Sequence, residues 1–349
     1  MVEEVNPTAG RPAGTGVEVS LPGERVRGKA PSRSARLKAI WHLWVVRLRL
    51  AWRGFKANAA LFAENKIGLV GLAIILLFAL MAISYPILIN TVWSERIGGI
   101  LVYDPVVGFD PLATEQPAPP SARHLLGTDP LGRDVLSQLL YSTASEFGLG
   151  VVAALVTVVI ATTVGAVAAY YGGFVDTVFM RLADIIIMAP YIIILTVLAV
   201  LFEVELIHLA ILIGIISGFG GTAVIIKSQA LSVKVRTFVE AARVAGGGDA
   251  HIIFRHIVPN LLPLSFLYMM FTVTTAIFSE AVLSYFGLLK IRMSWGLMIH
   301  TTEYAGYFLQ IDKWWLVFPA SLSITLLCAA FYLVGRALDE VVNPRLRQR

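Results

Sequence analysis

Six long apolar segments constrain this chain more than any other feature of its sequence. Each is long enough to cross the hydrocarbon core of a bilayer as a helix, for which roughly 20 residues are needed. Charged residues make up only 15% of the chain, whereas soluble domains carry about 25%. The sequence therefore predicts an all-α polytopic membrane protein. The predicted spans are 67–89, 147–169, 178–202, 206–226, 261–283 and 315–334.

The distribution of positive charge predicts which side of the membrane each loop occupies. Residues 1–66 hold twelve Lys and Arg, the loop 227–260 holds five, and the C-terminal end holds four. The connections 90–145 and 284–314, on the opposite side, hold three each. Loops rich in Lys and Arg stay in the cytoplasm. Both termini and the loop 227–260 are therefore expected on the cytoplasmic side of the cytoplasmic (inner) membrane, and the positive charge needs no nucleic-acid partner.

These assignments divide the chain into six parts. Residues 1–35 are rich in Gly, Pro, Arg and Glu without periodicity, and are expected to form a disordered cytoplasmic tail. Residues 36–66 space Trp and Leu three or four apart among basic residues, which fits a helix at the lipid headgroups or one packed on a partner protein. The other parts are a first transmembrane helix at 67–89, an external loop at 90–145, a core of five helices at 146–335 that contains the loop 227–260, and a cytoplasmic end at 336–349.

Sequence patterns for catalysis and metal binding are absent. The chain has no Gly-x-x-x-x-Gly-Lys-Ser/Thr, no Gly-x-Ser-x-Gly and no His-Glu-x-x-His. His251 and His256 are five residues apart, a poor spacing for one face of an α-helix, so no metal site is expected. The sequence predicts no catalytic residues and no cofactor in this chain.

A polar segment from Val239 to Pro263 interrupts the apolar second half of the chain. Its first helix is expected to end at Gly246, because glycine accepts the positive φ common at helix C-termini. Pro259 and Pro263 are expected to break the chain again before the next span. A short helix–turn–helix between two spans indicates a docking surface for another protein.

The spacing within this segment resembles the cytoplasmic loop signature of ATP-binding-cassette importer permeases: Glu-Ala-Ala, three residues, Gly, nine residues, Ile-x-Leu-Pro. The spacing is kept throughout, although His256 and Val258 replace the Ile and Leu of the signature. Stretches at 126–137, 172–184 and 314–319 are similar to the second permease subunit of the dipeptide/oligopeptide family. The residues that match the loop signature by position are Glu240, Ala241, Ala242, Gly246, His256 and Pro259.

The resemblance implies the type I ABC importer transmembrane fold, with six transmembrane helices and the loop 227–260 as a coupling helix. It implies a permease subunit of a binding-protein-dependent importer of a small solute, most simply di- or oligopeptides. The implied partners are a homologous but distinct permease, two ABC ATPase subunits that carry ATP and Mg, and an external solute-binding protein. The link 288–293 is shorter than usual and lacks proline, which leaves oligosaccharides or nickel open as the solute.

Four charged residues near the spans are further candidates. Glu280 lies in an apolar stretch where a carboxylate costs roughly 2–3 kcal/mol, and is expected either to line the translocation path or to be hydrogen-bonded at the outer interface. Arg181 and Asp184 are three apart and are expected to form a structural pair. Glu240 is interpreted as a docking charge, with an ordinary solvated helix charge as the alternative.

A rival hypothesis from another class is a secondary transporter or channel that needs no ATP. Such a protein requires its own coupling-ion site, and the spans offer few ionisable residues for one. Pro190 is expected to kink the third span, and the charges of segment 127–134 are expected to pair among themselves.

Overall fold

The structure, a computed structural model, describes residues 59–113 and 115–342. The tail predicted at 1–35, most of the segment 36–66 and the last seven residues lie outside the described part. Within that part the chain is mostly helical, which confirms the all-α prediction. The strands Arg96–Ile97 (β1) and Ile100–Leu101 (β2) form a small antiparallel hairpin.

Residues 59–63 are helical, and eleven complete α-helices follow them within the described residues. A π-helical turn, Ile253–Ile257, joins the eighth to the ninth, and a 3-10 helix, Ile311–Leu316, precedes the last. The helices are α1 (Lys66–Asn90), α2 (Val135–Tyr171), α3 (Gly173–Met188), α4 (Tyr191–Phe202), α5 (Leu206–Phe219), α6 (Gly221–Lys234), α7 (Thr237–Val244), α8 (Asp249–Ile252), α9 (Val258–Tyr285), α10 (Trp295–Tyr304) and α11 (Phe318–Val342).

The described helices supply between four and six membrane spans. Four are long and apolar enough to cross a bilayer singly: α1, α2, the continuous α8–α9 helix and α11. Two bent pairs complete the set if each pair is one span: α3 with α4, at 86°, and α5 with α6, at 42°. The sharper bend lies at Pro190, as predicted, because proline forces Ala189 into an extended conformation with ψ 135°.

The expected break at Pro259 and Pro263 is wrong, since helix α9 runs through both prolines. The π-helical turn Ile253–Ile257 comes directly before them, and the N–H of Val258 bonds to the carbonyl of Ile253. Pro259 then lies in the first turn of α9, where a missing N–H is tolerated.

Helix α2 is the centre of the bundle and contacts α1, α5, α6 and α9. Its closest neighbour is α5, because two glycines four residues apart remove the side chains between them. Gly214 faces Val156 and Gly218 faces Ile160, and a methyl group built on Gly214 would meet Val156 Cβ at 2.5 Å. Small residues at this spacing let membrane helices approach closely.

The bundle has two distinct ends. At the first, which we call the loop end, Tyr170 near the end of α2 bonds to Asp249 at the start of α8. Helix α11 runs antiparallel to α9, with Gly335 against Met270, so α11 also finishes toward the loop end. At the other end, the segment between α1 and α2 is held to the bundle by the indole N–H of Trp315, which donates to the Thr128 carbonyl at 3.2 Å.

Candidate functional site

Helix α7 presents the signature residues at the loop end. Val239 is fully buried and packs in a cluster with Ile252, Ile253 and Ile257, so it fastens the helix to the bundle. Glu240 and Ala241 are exposed, while Ala242 is half-buried. The apolar side of α7 is therefore used internally, and the side that carries Glu240 and Ala241 is open to a partner.

Gly246 ends α7 with a backbone conformation that favours glycine. Its φ is +81°, its N–H donates to the Arg243 carbonyl at 3.0 Å, and the next N–H, of Gly247, donates to the Ala242 carbonyl at 3.0 Å. This pair of bonds is the Schellman motif, which satisfies helix carbonyls and reverses the chain. The sharp turn expected at Gly246 is thus present.

The π-helical turn changes the geometry expected for the two histidines of the loop. The rings of His251 and His256 lie 5.4 Å apart between centroids. The expectation that a spacing of five would separate them is wrong, because a π-helical turn has more residues per turn than an α-helix. In the described ranges no group of three or more His, Cys, Asp or Glu is placed to hold a metal ion.

Polar contacts fix the loop to the ends of α2 and α6. The Tyr170 hydroxyl donates to Asp249 Oδ1 at 2.7 Å, and the Arg243 guanidinium lies 5.9 Å from the Tyr170 ring centroid. Lys234 Nζ donates to the Ala169 carbonyl at 3.0 Å. Movement imposed on α7 or α8 would therefore pass to the long central helix.

Exposed apolar side chains surround α7 at the loop end. Val244 is 88% exposed and Val235 76%, with Phe238 and Phe254 also exposed. The segment also exposes Arg236, Arg243 and Arg255, so its surface mixes apolar and basic groups. Such a mixed surface fits contact with another protein better than contact with lipid tails.

Two ion pairs lie on helix α3. Arg181 and Asp184 approach to 3.3 Å on an exposed face, where a pair contributes little to stability. A second pair, not expected from the sequence, joins Lys227 Nζ of α6 to Asp176 Oδ1 at 2.5 Å and is mostly buried. This second pair links α3 to α6 directly.

Glu280 lies inside the bundle. Its carboxyl group is fully buried on α9, and it accepts a hydrogen bond from the Ser284 hydroxyl at 2.5 Å. Helices α2 and α9 pack antiparallel, with Val273 against Gly150 and Ser265 bonded to Thr162, and this places Glu280 beside Glu146 of α2, which is also fully buried. That Glu280 lines the translocation path, or lies at the outer interface, stays a prediction.

A cavity of about 540 Å³ opens beside this pair, between α2, the start of α5 and the link 290–293. Charged residues of both signs line it: Glu205, Lys290 and Arg292. Glu280 does not line this cavity. On α2, Ser145 and Leu149 do line it, so the cavity wall passes within a residue of Glu146.

Buried charges order the segment between α1 and α2. Arg133 and Asp129 form an ion pair, Nε to Oδ2 2.7 Å, which confirms the expected pairing within 127–134. Asp134 does not join that pair. It caps α2 through the N–H of Ser137 at 2.7 Å and bonds the ring of His124 at 2.8 Å.

His124 lies between two carboxylates and is almost fully buried. Its Nε2 lies 3.0 Å from Asp110 Oδ2 and its Nδ1 2.8 Å from Asp134 Oδ2. Burial lowers the pKa of His124, but the bonds to the two carboxylates outweigh it and raise that pKa overall. Burial raises the pKa of Asp110, and hydrogen bonds from Leu112, His124 and Arg123 more than reverse this, so its pKa is lowered.

Glu146 and His124 are the residues that sequence reasoning missed. Glu146 directly precedes the span predicted at 147–169, whereas α2 already begins at Val135 and carries Glu146 inside the bundle. Spacing in the sequence gives no signal for Glu146, because Glu280 lies on another helix and far away in the chain. His124 had no such signal either, since Asp110 is distant in sequence.

Comparison with known proteins gives consistent matches. Residues 161–348 match the model of the family described as binding-protein-dependent transport system inner membrane component. A dipeptide transport system permease protein of Bacillus subtilis is 32% identical over 305 residues, covering 85% of this chain and 86% of the relative. An oligopeptide transport system permease protein of the same organism is 33% identical over 82% of this chain and 88% of the relative. A dipeptide permease of Haemophilus influenzae is 29% identical, over 82% and 93%.

Proposed function

Because this chain belongs to the family of binding-protein-dependent transport system inner membrane components, we propose that it is a permease subunit that passes di- or oligopeptides through the cytoplasmic membrane. The observation that carries the solute class is the match, over more than four-fifths of the chain, to relatives named for dipeptide and oligopeptide transport. Oligosaccharides or nickel are the alternative solutes for the same machinery.

The cavity beside α2 supports a zwitterionic solute. A peptide carries an ammonium and a carboxylate, and this cavity has one acidic residue, Glu205, and two basic ones, Lys290 and Arg292. Its volume of about 540 Å³ is in the usual range for small-ligand sites. The link 288–293, which differs from the family pattern, therefore supplies groups suited to the ends of a peptide.

The loop end supports docking of separate ATPase subunits. Glu240 and Ala241 are exposed on α7, Gly246 makes the turn, and His256 and Pro259 lie where α8 continues into α9. We place the contact with the ATPase on this surface, with ATP and Mg held by two such partner subunits and no catalysis in this chain. Closure of the ATPases would push α7, and the bonds at Tyr170 would carry that push to α2.

The remaining partners follow from the same proposal. A homologous, distinct permease would complete the path across the membrane, and an external binding protein would deliver the solute to the end of the bundle opposite the loop end. The charge distribution supports cytoplasmic placement of the loop end and both termini.

Co-purification tests the docking surface directly. Glu240→Ala should reduce the amount of ATPase that co-purifies with the tagged chain from its native membrane, without loss of folded protein, because the Glu240 side chain is exposed. Glu64→Ala is the matched control, since Glu64 is an exposed carboxylate outside the loop. Equal recovery of ATPase with the two variants would remove Glu240 from the interface, and absence of any ATPase from the wild-type preparation would refute the importer proposal.

Competition for uptake tests the solute. Cells that carry the transporter should take up a labelled dipeptide, and excess unlabelled di- or oligopeptides should inhibit this uptake. Inhibition by an oligosaccharide or by nickel, but not by peptides, would assign the transporter to the alternative class.

A further inference from the structure

Two carboxyl groups face each other inside the bundle without a compensating cation. Glu146 of α2 and Glu280 of α9 are both 0% exposed. Within the described residues neither takes part in an ion pair. The other titratable side chain near Glu146 is the thiol of Cys328 on α11, which supplies no positive charge.

Four polar atoms at this place lack a partner in the described part of the chain. They are both carboxyl oxygens of Glu146, Oε2 of Glu280 and the hydroxyl of Ser142. Ser142 is fully buried and lies one helical turn before Glu146, on the same face of α2. The arrangement on α9 mirrors it, with Ser284 one turn after Glu280 and already bonded to it.

Electrostatics excludes two charges at this site. Removing an ion from water costs several kcal/mol, and two neighbouring carboxylates in a dry site cannot both be ionised. One added proton resolves the conflict and also supplies the missing donor. The Ser284 hydroxyl already donates to Glu280, whereas neither oxygen of Glu146 has a donor, so the proton belongs on Glu146.

We propose that Glu146 and Glu280 form a proton-binding site that joins α2 to α9. The proton is held on one oxygen of Glu146 and donated to Oε2 of Glu280. A single proton then satisfies two of the four unpartnered atoms, one on each carboxyl group.

The site makes the α2–α9 contact sensitive to pH. With the proton in place, the two helices share a hydrogen bond in a dry environment, where it is strong. Once the proton is lost, two carboxylates repel each other across the same contact. The protein should therefore become less stable as the pH rises through the titration of the pair, whatever solute the permease carries.

Infrared spectroscopy of the purified protein tests this proposal. The wild type at neutral pH should show a buried carboxylic-acid C=O band that disappears at high pH and is missing from the double variant Glu146→Gln/Glu280→Gln. The band should persist in Glu64→Gln, which changes an exposed carboxylate. In parallel, the melting temperature of the wild type should fall across the pH range in which the band is lost, and this fall should be absent from the double variant.

Three outcomes would overturn the proposal. One is a wild-type spectrum without a carboxylic-acid band that the double variant lacks. Another is a melting temperature that has the same pH dependence in the wild type and the double variant. The third is restoration of stability at high pH by sodium or potassium chloride but not by choline chloride, which would assign the site to a metal cation. If the double variant fails to fold, the pH titration of the wild-type band decides. The single variant Glu146→Gln, whose amide keeps a donor toward Glu280, then takes the place of the double variant.

Discussion

Replacing Val239 by alanine should loosen the loop 227–260 while leaving its outer surface intact. Val239 is the fully buried residue of α7, and its side chain packs with Ile252, Ile253 and Ile257. The substitution removes two buried methyl groups, worth about 1.6 kcal/mol, and the cavity left behind raises the cost to about 2 kcal/mol. A local loss of about 2 kcal/mol corresponds to a roughly 30-fold increase in opening of the loop.

Hydrogen exchange measured by mass spectrometry reports this opening. Amides of α7 and α8 should exchange roughly 30-fold faster in Val239→Ala, while those of the middle of α2 stay unchanged. In the assembled transporter, ATP hydrolysis should continue, because Glu240 and Ala241 remain available for docking. Solute moved per ATP should fall, because a loosened helix transmits less displacement.

Val244→Ala is the matched control, since it makes the same substitution on the same helix at an 88% exposed side chain. It should leave exchange within α7 and α8 at the wild-type rate. Equal exchange in the two variants would refute the conclusion that Val239 fastens α7 to the bundle. Faster exchange with unchanged transport per ATP would refute the role of the loop as a lever.

Three further predictions concern the other contacts described above. The pKa of His124 is raised in the folded protein, so the stability that His124 contributes is complete below its ordinary pKa of about 6.5 and is lost as the pH rises through the folded pKa. Limited proteolysis of segment 95–134 should therefore accelerate above neutral pH. An unchanged rate, or the same pH dependence in His124→Asn, would contradict this. Gly214→Ala should overpack the contact of α5 with α2 and lower the melting temperature by the equivalent of about 1–3 kcal/mol. Gly148→Ala is the control and should leave the melting temperature unchanged, because Gly148 has open space around it. Equal effects of the two substitutions would contradict the close packing of α5 on α2. Tyr170→Phe removes a hydrogen bond worth about 1 kcal/mol, so the amides of α8 should exchange hydrogen faster. An unchanged exchange rate would show that this bond does not hold the loop.

The apolar segments and their order along the chain could be predicted, because hydrocarbon-spanning segments differ so strongly from other sequence; the structure forms four spans from them, or six if each bent pair is one span. Their interruptions were partly predictable. Pro190 imposes an extended conformation on its neighbour, so the bend of α3 and α4 was expected. Pro259 was misjudged, because its effect depends on whether the preceding turn is α- or π-helical, and residue types do not reveal this.

The candidate site was predictable where it is local in sequence. The turn at Gly246 requires a positive φ, and glycine is the residue that provides it at low cost. The Glu146–Glu280 contact joins positions far apart in the chain, so no spacing rule could reveal it before the helices were packed. The same holds for His124, whose carboxylate partners become adjacent only when the segment before α2 folds.

Uptake of a labelled dipeptide with and without ATP decides whether this chain works in an ATP-driven importer. Vesicles would contain the transporter purified from its native membrane with its partner subunits, and the binding protein would be supplied on the external side. For an importer of this kind we expect uptake only when ATP and Mg are present on the loop side, and a strong reduction of uptake in Glu240→Ala but not in Glu64→Ala. Uptake that continues without ATP, or that is equal in the two variants, would contradict this expectation.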